Sequence, residues 1–192
     1  MIEKRKALDN KRQNKKQPFM QEIDFKPIDN ITPEMKALFA AELGPGRFAR
    51  TAYRLREQAP IPDQVSEQVL LGYNAYKDQT LIGTISLTPI TIGGKAGAGL
   101  IGPLLVKEEH RGQRLGSALI EKALHLARDK GLNLALLVGD IEYYQKAGFE
   151  RCPPQRISLP GPVAPHRLLA YQITEAAIDA YQGQARAERD AL

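Results

Sequence analysis

The stretch from Gly99 to Lys130, GLIGPLLVKEEHRGQRLGSALIEKALHLARDK, constrains this chain more than any other. An apolar run, Leu100 to Val106, is too short for a helix and is bounded by Gly99 and a charged cluster. A turn follows, Arg111-Gly112-Gln113-Arg114-Leu115-Gly116, with two glycines and two arginines. An amphipathic helix then starts without a break. A strand that ends in a basic, glycine-containing turn and feeds a helix N-terminus makes an anion site. The first-turn N–H groups have no helical acceptor, and the helix dipole favours negative charge there. A phosphate-bearing ligand is the first expectation, and an ordinary strand–turn–helix connection with exposed arginines is the bland alternative.

The 192 residues suit one domain with a real core. No apolar run reaches the roughly 18 residues of a membrane span. One cysteine, Cys152, rules out an internal disulfide framework and fits a reducing, cytoplasmic setting. With that cysteine and three scattered histidines, His110, His125 and His166, a protein-built metal site is not expected. The net charge of +5 belongs to the start of the chain. Lys4, Arg5, Lys6, Lys11, Arg12, Lys15 and Lys16 oppose only Glu3 and Asp9 there, so the rest is close to neutral. Residues 1–20 carry no apolar periodicity and read as a disordered basic tail. A solvated tail comes before a nucleic-acid-contacting arm in that reading, and an apolar signal region is lacking.

Further along, Ile23, Phe25 and Ile28 mark a first strand. Thr32-Pro33-Glu34 starts a helix with Met35, Leu38, Phe39 and Leu43 inside, stopped by Gly44-Pro45-Gly46. A second helix is expected from Arg47 to about Gln58. Residues 69–76 and 81–87 form a hairpin about Lys77-Asp78-Gln79, and Pro89 to Ile92 resumes the strand after an interruption. The central helix buries Leu115, Ala118, Leu119, Ala123, Leu126 and Ala127, and Gly131 ends it. Leu132 to Val138 is apolar enough to be covered on both faces. Then come a short helix from Ile141 to Ala147, a Pro-rich irregular stretch over 153–165, a strand from Arg167 to Ile173 and a terminal helix from Thr174 to Arg189. The order predicts an α+β, three-layer α/β/α domain with a mixed, mostly antiparallel sheet. Strands 99–106 and 132–138 should pair in parallel. The domain is expected over 21–175, with a helical extension over 176–192.

LLV-x4-RGQRLGSAL, then a strand, then YYQKAGF resembles the GNAT N-acetyltransferases. GPGRFAR at 44–50, GPLLV at 102–106 and LVGDIEYYQKAGF at 137–149 resemble the bacterial YhbS-like branch. The resemblance implies that the N–H groups of Arg111, Gly112, Gln113, Arg114, Leu115, Gly116 and Ser117 hold the diphosphate of acetyl-CoA. It implies that the backbone of Leu104, Leu105 and Val106 holds the pantetheine arm, which needs the parallel pair to splay. Arg114 stands where the family has glycine, which removes backbone freedom and adds a cation. Tyr144 takes the position of the general acid, four residues before Gly148, and Tyr143 reads as packing. Leu137 replaces the family's asparagine, and Asp140 is a candidate for its contacts.

The activity implied is acetyl transfer to a primary amine, on a small molecule or a peptide, by direct attack on the thioester and without metal. A catalytically idle acyl-CoA-binding module is the alternative. No general base is named, because Glu108 and Glu109 read as solvated acids. His110 and His125 read as solvated and Cys152 as structural. Arg47 and Arg50 border the acceptor side by resemblance. A homodimer is compatible, and nucleic acid and membrane are not expected partners.

Overall fold

The computed structural model describes residues 19–44, Leu55 and 71–188. Residues 1–18 of the basic tail, the helix expected from Arg47 to Gln58 apart from the buried Leu55, and the strand start at 69–70 lie outside them. The last two residues of the tail expected over 1–20, Phe19 and Met20, are helical and pack into the core instead of being disordered.

β1 (Asp24–Pro27) leads into α1 (Pro33–Leu43). Thr32 caps this helix, its hydroxyl accepting from the Met35 N–H at 3.3 Å, and Pro33 opens the first turn where no N–H is needed. Three antiparallel strands follow, β2 (Leu71–Lys77), β3 (Thr80–Ile92) and β4 (Lys95–Val106). The central helix α2 (Leu115–Asp129) carries the chain to β5 (Leu134–Val138), and α3 (Ile141–Tyr144) continues into a 3-10 turn over Gln145–Ala147. The remaining strands are β6 (Glu150–Arg151), β7 (Ile157–Ser158), β8 (Leu168–Gln172) and β9 (Gly183–Ala187).

The sheet order is β1-β2-β3-β4-β5-β8-β6, with β9 on β3. Among the described residues it is antiparallel except for β4 with β5 and the short β7 with β9. This is the expected mixed α+β architecture. On one face α2 buries Leu115, Leu119, Ile120, Ala123 and Ala127 against Ile85, Leu87, Ile101, Ala135 and Leu137. On the other face α1 seats Met35, Leu38 and Phe39 on Leu81 and Leu105. A third cluster covers the far end of that face, where Ile90, Ile92, Leu100 and Leu134 meet Leu159 and Tyr181.

Two expectations need correction. β3 is not interrupted at Pro89, which pairs with Gly99 inside one 13-residue strand. The Pro89 carbonyl accepts from the Glu188 N–H at 3.2 Å, so its donor-less nitrogen faces the side where β2 has ended and β9 has not begun. The terminal segment is also not a helix. A 3-10 turn, Ala177–Ala180, is followed by β9, which pairs antiparallel with Ile90–Ile92. Its Ala-rich composition favours a helix, but burial decides against it. Tyr181 is fully buried and donates its hydroxyl to the Ala96 carbonyl at 2.9 Å, Ala185 is fully buried, and Gly183 at φ 114° passes against Gly93.

Candidate active site

The site forms where β4 and β5 part. They are in register at Ala98↔Leu134, Gly99↔Ala135 and Leu100↔Leu136, and no further. Beyond that point β5 stays on β8 through Leu137↔Leu169 and Val138↔Leu168. β4 stays on β3, but between Ile85↔Leu104 and Leu87↔Ile101 it carries one extra residue. That bulge, at Gly102-Pro103 with Gly102 at φ 129°, bends β4 away from its parallel neighbour. The β5-facing edge of β4 is therefore open from Ile101 onward, which is the splay expected from the sequence.

At the end of β4 the Lys107 N–H donates to the Ile82 carbonyl at 2.9 Å, and a 3-10 turn over Glu108–His110 brings in Arg111. Gly112 and Arg114 both take left-handed backbone, at φ 72° and 68°. Arg114 is the N-cap residue of α2 and makes no side-chain cap. The first helical bond runs from the Ala118 N–H to the Arg114 carbonyl. The N–H groups of Gly112, Gln113, Arg114, Leu115, Gly116 and Ser117 therefore have no acceptor among the described residues. They form a cradle of donors at the positive end of a 15-residue helix dipole, beside two guanidinium groups.

A cleft of about 510 Å³ lies over this cradle. Leu104, Leu105, Val106, Arg111, Gly112, Arg114, Leu115, Gly116 and Ser117 line it, as do Tyr143 and Tyr144. Gln113 does not, since its side chain turns back to donate to the Glu109 carbonyl at 3.2 Å. Leu105 and Leu115 are buried and belong to the core clusters as well. Arg111 donates Nε–H to the Val106 carbonyl at 3.1 Å and forms an ion pair through Nη2 with Glu42 on α1. The Glu42 side chain is only 15% exposed and also lines the cleft.

A second cavity, of about 1010 Å³, opens on the other side of the splay. Leu43, Ile101, Pro103, Val138, Pro162 and Val163 give it an apolar wall, and Asp140 and Arg167 a polar corner. Leu104, Arg111, Tyr143 and Tyr144 line both cavities and form the neck between them.

Tyr144 packs against the α2-side core, edge-on to Phe149 at 6.0 Å, with its ring over Gly139 where a β-carbon would collide. Burial pushes its phenol up to about 12, Tyr143 and Asp140 adding to the rise and Arg167 opposing it. Tyr143, expected to be packing, is instead 48% exposed and outside the core clusters. On a one-turn helix adjacent residues point apart, and here the second of the pair turns inward. Asp140 makes an ion pair with Arg167 at 3.2 Å.

Glu108 and Glu109 are exposed as expected. His110 stacks on Phe19 at 5.8 Å, and His125 is exposed beside Glu121. Cys152 is buried, which pushes its thiol up and keeps it protonated. Arg47 and Arg50 lie outside the described residues. Glu42, Leu43 and Arg167 were not legible as site residues, because local pattern gives Leu43 a core position and Arg167 a strand start, and says nothing of Glu42. Among the described residues no helix is long and apolar enough to cross a membrane.

A family model described as the acetyltransferase (GNAT) family matches residues 34–149, more than half of the chain, and the chain belongs to that family. Among solved structures it is similar to the GNAT family N-acetyltransferase YhbS from Escherichia coli in complex with CoA. The TM-score is 0.71 at 21% identity, covering 87% of this chain and 90% of that one. An acetyltransferase of the GNAT family from Staphylococcus aureus Mu50 gives a TM-score of 0.52 at 14% identity, covering 79% of this chain and 99% of that one. Aminoglycoside 6'-N-acetyltransferase complexed with coenzyme A gives 0.54 at 15% identity, covering 79% and 97%. These likenesses agree in fold with the YhbS-like resemblance. No curated protein matches the chain.

Proposed function

We propose that this chain is an acetyl-CoA-dependent N-acetyltransferase that transfers the acetyl group to a primary amine. The observation that carries this reading is the cradle of six N–H groups, Gly112 to Ser117, placed at one end of an opened parallel strand pair. A diphosphate supplies the acceptors that these donors lack, and the splay leaves an extended slot for the arm attached to it. Two N-acetyltransferase structures similar in fold are complexes with CoA, which supports the same ligand here.

The roles then follow from position. The cradle, with Arg111 and Arg114, holds the diphosphate. The open backbone edge of β4 at Leu104 to Val106 pairs with the amides of the pantetheine arm, and a strand N–H there stabilises the oxyanion. Through the neck the thioester meets an amine held in the larger cavity. The amine forms the new C–N bond at the carbonyl carbon, the C–S bond breaks, and Tyr144 gives its proton to the departing sulfur. The surplus proton of the amine leaves through the open cavity to water, and Tyr144 regains its own proton from water. A phenol pushed up to about 12 keeps its proton until the thiolate forms.

Calorimetric titration with acetyl-CoA, CoA and longer acyl-CoAs tests the assignment. Binding of acetyl-CoA and CoA is expected, and failure of all of them to bind would overturn it. An idle acyl-CoA-binding module would bind these ligands yet turn over no member of a panel of primary amines.

A further inference from the structure

Tyr143 has a placement that the transfer chemistry above does not use. A β-carbon at Gly116 would collide with the Tyr143 hydroxyl, so the phenol oxygen rests on the bare α-carbon at the start of α2. Gly116 and Ser117 belong to the donor cradle, and the same phenol lines the cleft above it. The two tyrosines are T-shaped to one another, with centroids at 4.9 Å and planes at 81°. Tyr144 lies over Gly139 at the end of β5, and Tyr143 reaches across to α2. Both phenols line the neck, and that of Tyr143 also reaches the cradle.

Packing does not account for Tyr143. It is the exposed large hydrophobic side chain among the described residues, at 48%, and it belongs to none of the three core clusters. A half-exposed aromatic ring that reaches a helix start kept free of side chain has a polar task at its tip. Given the reading of the cradle as a diphosphate site, on which this inference rests, we propose that Tyr143 is a binding residue for that diphosphate. Its hydroxyl donates to a phosphate oxygen held by the first-turn N–H groups of α2. Tyr143 becomes a further donor of the anion site, brought in from α3. Gly116 is small so that this phenol can approach. Burial pushes the phenol above its ordinary value, so it remains a donor wherever the protein is handled.

Isothermal calorimetry with CoA on the full chain, with steady-state kinetics where an amine acceptor is in hand, tests the proposal. Tyr143→Phe keeps the ring and removes the donor. It should weaken CoA about tenfold, the scale of one hydrogen bond to a charged oxygen, with kcat at saturating acetyl-CoA unchanged. S-acetylpantetheine, which has no diphosphate, should be used equally well by Tyr143→Phe and the parent. Gly116→Ala should weaken CoA by a similar factor with the phenol present, because the new methyl displaces it. CoA affinity within twofold of the parent in Tyr143→Phe would overturn the proposal. So would a loss confined to kcat, which would place this phenol in proton transfer instead. If the parent itself fails to bind CoA, the acetyltransferase reading fails. If the parent binds and Tyr143→Phe binds equally, only the role of Tyr143 does.

Discussion

Arg111 and Glu42 form an ion pair beside the cleft at the start of α2, tying the last turn of α1 to the turn that follows β4. Arg111 is fixed a second time by its bond to the Val106 carbonyl, so its guanidinium is oriented before any ligand arrives. Glu42 is mostly covered, and its carboxylate lies in a cleft whose other groups attract anions.

The two partners should therefore act with opposite sign on CoA affinity. Arg111→Met removes a cation and should raise the dissociation constant about tenfold or more. Glu42→Gln removes a negative charge that competes for the guanidinium and should lower it about threefold at low salt, the gain shrinking as salt screens it. Calorimetry at two ionic strengths reads both. Weakening by both substitutions would mean that Glu42 serves only to hold Arg111 in place.

Tyr144 makes a second prediction through its proton. Tyr144→Phe should lower kcat about a hundredfold, the usual contribution of one acid, with CoA affinity retained. The folded phenol is pushed up to about 12 by burial, whereas an unfolded tyrosine titrates near 10. Its contribution to stability is thus complete below about pH 10 and is lost as pH rises toward about 12, since the unfolded chain gives up this proton first. The parent should melt progressively earlier over that window, and Tyr144→Phe should do so less steeply. Thermal melts of both proteins between those limits decide it, and parallel curves would refute the assigned burial.

How much of this was legible in the sequence depends on how local each feature is. The β4–turn–α2 unit was readable because the hydrophobic period switches at a basic turn with glycines, and the cradle lies within six consecutive residues. That is one fewer than expected, because the Arg111 N–H donates to the Glu108 carbonyl. α1 was readable because Thr32 and Pro33 cap it at fixed offsets. β9 was not, because Gly183 to Ala187 is a strand only by virtue of the β3 edge it completes, while its composition favours helix. The roles of Tyr143 and Tyr144 differ by about 100° of helix rotation, and local sequence does not say which faces the core. Glu42 joins the site across 69 positions, a distance over which no motif extends.

Thr84 and Ser86 make a stability prediction. Both are fully buried, and their hydroxyls have no partner among the described residues. An unpaired buried hydroxyl costs about 1 kcal/mol or more, which an isosteric apolar group does not incur. Thr84→Val should raise the melting temperature by about 2–4 °C, the equivalent of roughly 1 kcal/mol in a chain of this size. A drop instead would show that the hydroxyl is engaged in the folded protein.

Arg114 carries a structural cost and, in the proposed site, supplies a cation, and two substitutions separate the two effects. At φ 68° its backbone is left-handed, a conformation that costs a residue with a β-carbon about 1 kcal/mol and glycine almost nothing. Arg114→Ala loses the cation but keeps the strain. Arg114→Gly loses both, and gives back part of the relief because glycine makes the unfolded chain freer by about 0.4–1 kcal/mol. Glycine should therefore be equal to or slightly more stable than alanine in chemical denaturation, and close to the parent. Both should bind CoA more weakly than the parent, by the same factor, and with a shallower dependence on salt, because both lack the guanidinium beside the cradle. If glycine instead restored the parent's affinity, the backbone conformation of the turn, not the cation, would govern the site.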